Sequence, residues 1–211
     1  MENPVIILGA SGIGKVAQDI FNSRNILVYC YLDDDESLHN SEINEITVMG
    51  STTDDGYLKF IGKKCEAFIA VEDRNQRQKL VKLLNDRRKV QPVNAIHQFA
   101  IVSEYAHIGH GNFINAGAVV NAGAKIPNHC IVHSRALVEY DAVLGNYVQV
   151  GAGAMVGAGA HVHENVLIGA GATVVSGVKV GKGAQIAPGS LVMQEVEEGT
   201  TVFGVPAKPP S

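Results

Sequence analysis

A six-residue period dominates the second half of this 211-residue chain. Stepping by six from Ile96 to Val192, every position is aliphatic, which makes seventeen consecutive matches without an insertion. Four residues after each of the first sixteen lies a small or compact residue, and ten of these are alanine. This pattern predicts a coil of short strands whose aliphatic residues point inward and whose turns pack on one another. With about three hexapeptides to a triangular turn, the repeat makes between five and six turns.

Charged residues are concentrated outside this repeat. Of 38 in the chain, 26 lie in residues 1–95 and 8 in residues 96–192. This abrupt change of composition predicts two domains, which we place at residues 1–90 and 91–211. The second would comprise the coil and a C-terminal tail.

The first half alternates the signals of strands and helices. Apolar runs at residues 5–8, 27–33 and 66–71 predict buried strands, and apolar residues recur at helical spacing over 13–21 and 74–88. Strands and helices in alternation with short turns predict a small parallel sheet of Rossmann type. The expected fold class is therefore an α/β Rossmann-like domain followed by a parallel β-helix.

Composition restricts the environment and the partners. A net charge of −4 and a pI near 6.0 argue against nucleic acid or an anionic membrane as a partner. The three cysteines are widely spaced and odd in number, which favours reduced, buried thiols over a disulfide framework. The N-terminus has no basic segment of the kind that opens a signal peptide, and no apolar run is long enough to span a bilayer. These features predict a cytoplasmic protein.

Five features taken in order resemble one family. They are GASGIG at 9–14, LDDD at 32–35, AVEDRNQR at 70–77, the unbroken hexapeptides and VFGVPAK at 202–208. The chain is similar to bacterial hexapeptide-repeat sugar O- and N-acetyltransferases, of the sialic acid O-acetyltransferase and UDP-4-amino-sugar N-acetyltransferase types. The resemblance implies a left-handed coil, an N-terminal domain that holds a nucleotide-sugar, and a homotrimer with acetyl-CoA in the clefts between subunits. Oligomerisation would also cover the sparsely charged faces of the coil.

The glycine-rich turn is the candidate nucleotide-sugar site. Gly9, Gly12 and Gly14 follow a predicted strand and open a helix, where backbone N–H groups can approach a diphosphate. Their GxxGxG spacing departs from the GxGxxG of dinucleotide-binding proteins, and a purely structural tight turn is the alternative. By resemblance the residues that line the site would be Ser11, Gly12, Ile13, Asp33, Asp34 and Gln76.

Some features of this segment weaken the assignment. Ile13 stands where close relatives often carry a histidine, and Glu72 stands where a glycine usually follows the strand. Asp33 and Asp34 could bind a ribose or base, but the acidic run DDDE is also typical of a solvated turn.

The candidate catalytic motif lacks its usual base. The family places a histidine between acidic neighbours, whereas this chain reads Val138, Glu139, Tyr140, Asp141. An imidazole has a pKa of about 6.5 and is available as a base at neutral pH, whereas a phenol has a pKa of about 10. Loss of a general base costs about 10²–10⁴-fold in rate. We therefore predict a site at Tyr140, Asp141 and Glu139 with impaired or altered base catalysis.

The resemblance also implies an acetyl-CoA site formed in part by Gln149, Ala170 and Pro188. Gln149 stands where close relatives have a second histidine near the thioester, and it can donate a hydrogen bond to the acetyl carbonyl. It cannot accept a proton. Among the other histidines of the coil, His133 is the best substitute base. The pairs His129/His133 and His161/His163 favour a zinc site only weakly, and we predict no metal.

Two functions remain open from the sequence. The first is transfer of an acetyl group from acetyl-CoA to a nucleotide-linked amino sugar in bacterial glycan biosynthesis. The second is a non-catalytic relative that binds a nucleotide-sugar or acetyl-CoA without turnover. The sequence does not distinguish nitrogen from oxygen as the acceptor atom, nor identify the sugar or the acyl group, and a purely structural scaffold is the weakest alternative.

Overall fold

The structure is a computed structural model that describes residues 3–210. It divides into two compact units between Gln98 and Phe99. This division lies eight residues beyond the end of the first domain proposed from the sequence, because the chain continues in the first unit after its last helix.

The first unit is a small α/β domain. Its elements are β1 (Val5–Leu8), α1 (Gly12–Ser23), β2 (Val28–Leu32), a 3-10 helix (Glu36–Leu38), β3 (Glu42–Ile43), β4 (Ile46–Gly50), α2 (Asp55–Leu58), β5 (Glu66–Ile69), α3 (Arg74–Arg88) and β6 (Ala95–Ile96). The strands β3, β4, β2, β1 and β5 form one sheet in that order, parallel except where β3 pairs with β4.

The predicted strands and helices of this unit are confirmed. All four residues of β1 are buried, as expected of a central parallel strand covered on both faces. Helix α1 buries Ile13, Ala17, Ile20 and Phe21 on the face predicted from their spacing. The elements between residues 36 and 58 were not predicted, because they are short and mix polar with apolar residues.

The second unit is built of two-residue strands at six-residue intervals. They are β7 (Ile101–Val102), β8 (His107–Ile108), β9 (Phe113–Ile114), β10 (Val119–Val120), β11 (Lys125–Ile126), β12 (Ile131–Val132), β13 (Leu137–Val138), β14 (Val143–Leu144), β15 (Gln149–Val150), β16 (Met155–Val156), β17 (His161–Val162), β18 (Leu167–Ile168), β19 (Thr173–Val174), β20 (Lys179–Val180), β21 (Gln185–Ile186), β22 (Leu191–Val192) and β23 (Thr201–Val202).

These strands stack into three parallel sheets, which form the sides of a triangular coil. Face A contains β7, β10, β13, β16, β19 and β22; face B contains β8, β11, β14, β17 and β20; face C contains β9, β12, β15, β18, β21 and β23. The predicted hexapeptide coil is thereby confirmed, since each aliphatic position of the repeat is the second residue of its strand. From Ile114 to Val192 all of these residues are buried.

The corners of the coil share one backbone conformation. From Gly111 to Gly189 every sixth residue has a positive φ, and nine of these fourteen residues are glycine because φ > 0 is unfavourable for other residues. The exceptions are His129, Arg135, Asp141, Tyr147 and Asn165. Four of the five follow one another at successive corners, so this part of the coil carries side chains where the other corners, apart from Asn165, carry none.

The three cysteines are buried and none of them forms a disulfide, as predicted. Burial raises the pKa of the Cys30 thiol to about 12 and also raises that of Cys65. No helix within residues 3–210 combines the length and apolar character that crossing a membrane requires.

Candidate active site

The glycine-rich turn follows β1 at the carboxyl edge of the sheet. Gly9 has φ +112°, and a Cβ placed there would lie 2.6 Å from the carbonyl oxygen of Ala70. A Cβ on Gly14 would collide with the carbonyl oxygen of Gly9. Both glycines are therefore needed so that the turn can pass between β5 and α1.

The first turn of α1 leaves space for a ligand. Apart from its chain neighbours and the backbone of its own helix, no described atom lies within 4 Å of a Cβ placed on Gly12. Ser11, at the N-cap, makes no capping hydrogen bond with its side chain to the residues that the structure describes. The N–H groups of a first helical turn have no partner within the helix, so they can receive an anionic group here.

Ile13 and Gly14 lie in this first turn of α1, and both are buried. The Ile13 side chain is 5% exposed and packs in the domain core, although the sequence suggested that it lines the site. Sequence reasoning could not place it, because a residue in the first turn of a helix can face either the core or the ligand.

The two predicted acids both accept hydrogen bonds within the domain. The Ala10 N–H donates to Asp33 Oδ2 at 2.7 Å, and the Asp35 N–H donates to Asp33 Oδ1 at 2.9 Å. Asp34 Oδ1 accepts from both the backbone N–H and the hydroxyl of Thr52, at 2.9 and 2.8 Å. Asp33 therefore joins the end of β2 to the glycine-rich turn, and Asp34 keeps one carboxylate oxygen outside these bonds.

Gln76 lies at the start of α3, which follows β5. Its N–H donates to the N-cap Asp73 at 2.7 Å, and its side chain is exposed. Since β5 pairs in parallel with β1, Gln76, the glycine-rich turn and Asp33 all lie at the carboxyl ends of neighbouring strands, where ligands bind in open α/β sheets.

The second candidate site is the corner between faces A and B, here called the Tyr140 corner (Glu139–Ala142). The Ala142 N–H donates to the Glu139 carbonyl at 3.2 Å, and Asp141 has φ +57°. These features define a tight turn with Tyr140 at its tip. The Tyr140 side chain is 58% exposed and points away from the coil.

The two acids of this corner are held differently. Asn121 Nδ2 donates to Glu139 Oε2 at 2.8 Å, and the Tyr140 N–H donates to the same oxygen at 3.3 Å. Asp141 is exposed and lies over Gly123 of the preceding turn. Glu139 is thus fixed by its own coil, whereas Tyr140 and Asp141 face solvent in a single protomer.

The predicted acetyl-CoA residues lie elsewhere on the coil. Gln149 opens β15 and points outward from face C, and Ala170 and Pro188 occupy equivalent positions, eighteen residues apart, on the edge between faces C and A. Here this edge is called the C–A edge. A Cβ on Gly151 would lie 2.5 Å from the Ala170 nitrogen, and one on Gly169 would lie 2.5 Å from the Pro188 nitrogen. The glycines keep successive corners in close contact.

Gln149 has a partner that sequence reasoning did not predict. Its Nε2 lies 3.0 Å from Nε2 of His133, the residue that follows β12 at the C–A edge. The His133 ring also meets the Phe113 ring edge-to-face, with centroids 6.3 Å apart. The register of β12 and β15 was the available signal, because it pairs Ile131 with Gln149 and so sets His133 two positions beyond the residue beneath Gln149.

Within one protomer, Tyr140 and Gln149 lie apart. The chain passes from face A through the Tyr140 corner to face B, and only after a further corner reaches face C. The Tyr140 corner is therefore the edge opposite face C, and one protomer does not bring the two groups together.

No group of three or more His, Cys, Asp or Glu side chains within residues 3–210 is arranged to hold a metal ion. Of the histidines considered as ligands, His129 is 5% exposed and its ring stacks on Tyr147, with centroids 5.0 Å apart.

Comparison with known proteins identifies both parts of the chain. Residues 4–84 match the PglD N-terminal domain, and residues 141–175 and 159–194 match the bacterial transferase hexapeptide (six repeats). The fold is a Rossmann-like α/β domain joined to a left-handed β-helix. The chain thus combines a PglD N-terminal domain with bacterial transferase hexapeptide repeats, and it is similar to sugar acetyltransferases that have the same two parts, as the sequence resemblance indicated.

Solved structures match the chain over its whole length. PerB from Caulobacter crescentus, in complex with CoA and GDP-perosamine, has 28% identity and a TM-score of 0.90, covering 100% of this chain and 99% of its own. The acetyltransferase domain of PglB from Neisseria gonorrhoeae, in complex with acetyl coenzyme A, has 26% identity and a TM-score of 0.89, covering 100% of both chains. WeeI from Acinetobacter baumannii has 24% identity and a TM-score of 0.77, covering 98% of this chain and 99% of its own, and shares the fold. No curated protein sequence matches the chain.

Proposed function

We propose that this protein transfers an acetyl group from acetyl-CoA to the amine of a nucleotide-linked amino sugar in bacterial glycan biosynthesis. The observation that supports this most strongly is the full-length match to PerB, whose structure contains CoA and GDP-perosamine together. The ligand of PerB supports an amino sugar as the substrate, and the amine of perosamine supports nitrogen rather than oxygen as the acceptor atom.

The first unit is suited to hold the nucleotide. The open first turn of α1 offers backbone N–H groups to a diphosphate, and Asp33 fixes the turn by accepting from Ala10. Asp34 and the exposed Gln76 border the same edge of the sheet and are available to the ribose, the base or the sugar.

A homotrimer is part of this proposal. The outward residues of face A are Ile101, Val119, Leu137, Met155, Thr173 and Leu191, whereas those of face B include His107, Lys125, His161 and Lys179. An apolar stripe of this length is typical of a surface that a second copy covers. Pairing would also allow the Tyr140 corner of one protomer to approach face C of its neighbour, which a single chain cannot achieve.

The second candidate function is binding without turnover. It is favoured by one observation: the tip of the Tyr140 corner carries a phenol where the family carries an imidazole. A variant perosamine N-acetyltransferase with a histidine replaced by asparagine has been solved with CoA and GDP-perosamine bound, so loss of a histidine in that protein is compatible with binding of both ligands.

Thermal stability and turnover together separate the two functions. The purified protein is incubated with acetyl-CoA, and with GDP-perosamine or a UDP-linked 4-amino sugar, and free CoA thiol is measured. Each ligand at about a hundred times its dissociation constant should stabilise the fold by about 2.7 kcal/mol. Stabilisation with thiol release supports the transferase; stabilisation alone, persisting in Tyr140→His, supports the binding protein; stabilisation by neither ligand would contradict both. The expected cellular site is the cytoplasm, where the three buried thiols remain reduced.

A further inference from the structure

His133 and Gln149 contact each other on the coil, and both lie outside the motif Glu139–Asp141, where the family carries its catalytic histidine. Gln149 Nε2 lies 3.0 Å from His133 Nε2, within hydrogen-bonding distance. An amide nitrogen donates and does not accept, so in this arrangement His133 accepts through the lone pair of a neutral imidazole. Neutral imidazole is the form that can take up a proton.

The position of this pair relates it to the proposed acetyl-CoA site. His133 begins the corner at the C–A edge, and Ala170 and Pro188 lie on the same edge in later turns. Gln149 projects from the adjoining face C. A ligand that runs along the coil from Pro188 through Ala170 to Gln149 therefore arrives at the imidazole of His133.

We infer that His133, oriented by Gln149, is the base that takes the proton from the acceptor amine, in place of the histidine that Tyr140 replaces. This inference rests on the proposed function. The amine nitrogen forms a bond to the acetyl carbon, and the bond from that carbon to the CoA sulfur breaks. When the acceptor amine reaches His133, the Gln149 N–H turns from His133 Nε2 to the acetyl carbonyl oxygen and frees the Nε2 lone pair. The proton leaves the amine nitrogen for this lone pair and then passes to the thiolate, which departs as CoA thiol.

Gln149 has two functions in this arrangement. Before the acceptor binds, its amide N–H holds the His133 imidazole in place. Once the acceptor amine reaches His133 Nε2, the amide donates to the acetyl carbonyl oxygen as negative charge develops there. In this arrangement the Tyr140 corner of a neighbouring protomer approaches the site and positions the acceptor. The hydrogen bond from Asn121 to Glu139 supports that corner.

A purely structural histidine is the alternative. His133 packs against Phe113, so its loss could disturb the coil without any part in the chemistry. The variant His133→Gln separates the structural role of His133 from its role as base. A glutamine carbonyl at this position can still accept from Gln149 but cannot take up a proton at neutral pH. His161→Gln, at an exposed histidine of face B, is the matched control.

The test compares wild type, His133→Gln, Tyr140→His, the double variant and His161→Gln with acetyl-CoA and GDP-perosamine or a UDP-linked 4-amino sugar. His133→Gln should lower kcat by about 10²-fold or more, with KM for acetyl-CoA changed by less than about threefold. Tyr140→His should raise kcat more in the His133→Gln background than in wild type, because it restores a base only where one is missing. His161→Gln should match wild type.

The outcomes distinguish this inference from the function on which it rests. If wild type turns over and His133→Gln retains its kcat, or if Tyr140→His acts equally in both backgrounds, the inference is overturned and the transferase function stands. If no variant releases CoA with either acceptor, both are overturned. Histidine ¹⁵N signals give an independent readout: acetyl-CoA should shift the signal that is lost in His133→Gln and leave that of His161 in place, and an unmoved His133 signal would contradict the inference.

Discussion

The carboxylate of Asp141 occupies the space in which a Cβ on Gly123 would stand, one turn earlier on the same edge of the coil. Asp141 itself has φ +57°, an unfavourable conformation for a residue with a side chain. The glycine and the strained aspartate are therefore a pair, since the first makes room for the second.

Substitution of Gly123 tests this pairing. Gly123 has φ +74°, so alanine costs about 1 kcal/mol in backbone conformation and must also displace the Asp141 carboxylate. Gly177 is the matched control, because it has φ +73° on the same edge and no described atom within 4 Å of a Cβ placed there. Gly123→Ala should lower the free energy of unfolding in urea by more than Gly177→Ala does. Equal losses would show that Asp141 does not depend on the space at Gly123.

The hydrogen bond from Asn121 to Glu139 supports the Tyr140 corner. Asn121→Ala removes the donor at 2.8 Å from Glu139 Oε2 and leaves a half-buried carboxylate with the weaker 3.3 Å bond from the Tyr140 N–H. We expect a loss of about 1 kcal/mol in urea unfolding and a lower kcat. Gln185→Ala, at an exposed position of face C, should change neither. A wild-type kcat in Asn121→Ala would exclude the corner from the reaction.

Substitution of Asp33 should weaken binding of the nucleotide-sugar and leave binding of acetyl-CoA unchanged. In Asp33→Asn an amide nitrogen, which donates and does not accept, replaces one of the two carboxylate oxygens. The side chain can then no longer accept from the N–H groups of both Ala10 and Asp35 through separate oxygens. The glycine-rich turn should loosen, and the dissociation constant for GDP-perosamine or a UDP-linked 4-amino sugar should rise about tenfold by calorimetry, with that for acetyl-CoA unchanged. Asp86→Asn, in an exposed ion pair with Lys82, serves as control. If the dissociation constants of both ligands rose by the same factor, the substitution would have unfolded the protein generally and the prediction would be wrong.

The buried thiol of Cys30 predicts a loss of stability at alkaline pH. Its pKa is about 12 in the fold against 9.0 for an unperturbed thiol, with burial as the main cause. Above pH 9 the unfolded chain releases this proton and the folded chain retains it, so stability is complete below pH 9 and falls as pH rises towards 12. The slope for one thiol approaches about 1.4 kcal/mol per pH unit.

Cys30→Ala isolates this contribution. Other groups titrate in the same range, so the informative quantity is the difference between wild type and variant in the free energy of unfolding from pH 8 to pH 10.5. That difference should shrink as pH rises above 9. A difference that is independent of pH would show that Cys30 can ionise within the fold.

The strands of the coil could be predicted because one physical cause fixes them. Each turn buries one aliphatic residue per side, so the period appears directly in the residues from Ile96 to Val192. The strand β1 and the helix α1 were predictable for a similar reason, since each buries a continuous or periodic apolar set.

The candidate site was less accessible to such reasoning. The contact between His133 and Gln149 depends on which residues meet across two turns, and the repeat does not specify the reach of their side chains. Asp33 was assigned to a ligand, although its carboxylate also serves the backbone of Ala10 and Asp35. Asp33 follows β2 whether it binds a ligand or supports the backbone, so its position in the sequence does not distinguish these two roles. The hydrogen bonds in the structure do.

The most direct test of the acetyltransferase function identifies the product. Acetyl-CoA with a deuterated acetyl group is incubated with the protein and GDP-perosamine or a UDP-linked 4-amino sugar, and the nucleotide-sugar is analysed by mass spectrometry. The proposed function predicts a nucleotide-sugar that has gained one deuterated acetyl group on its amino nitrogen, at a rate above that of a reaction without protein. Unchanged amino sugars, under conditions in which both ligands stabilise the fold, would contradict it.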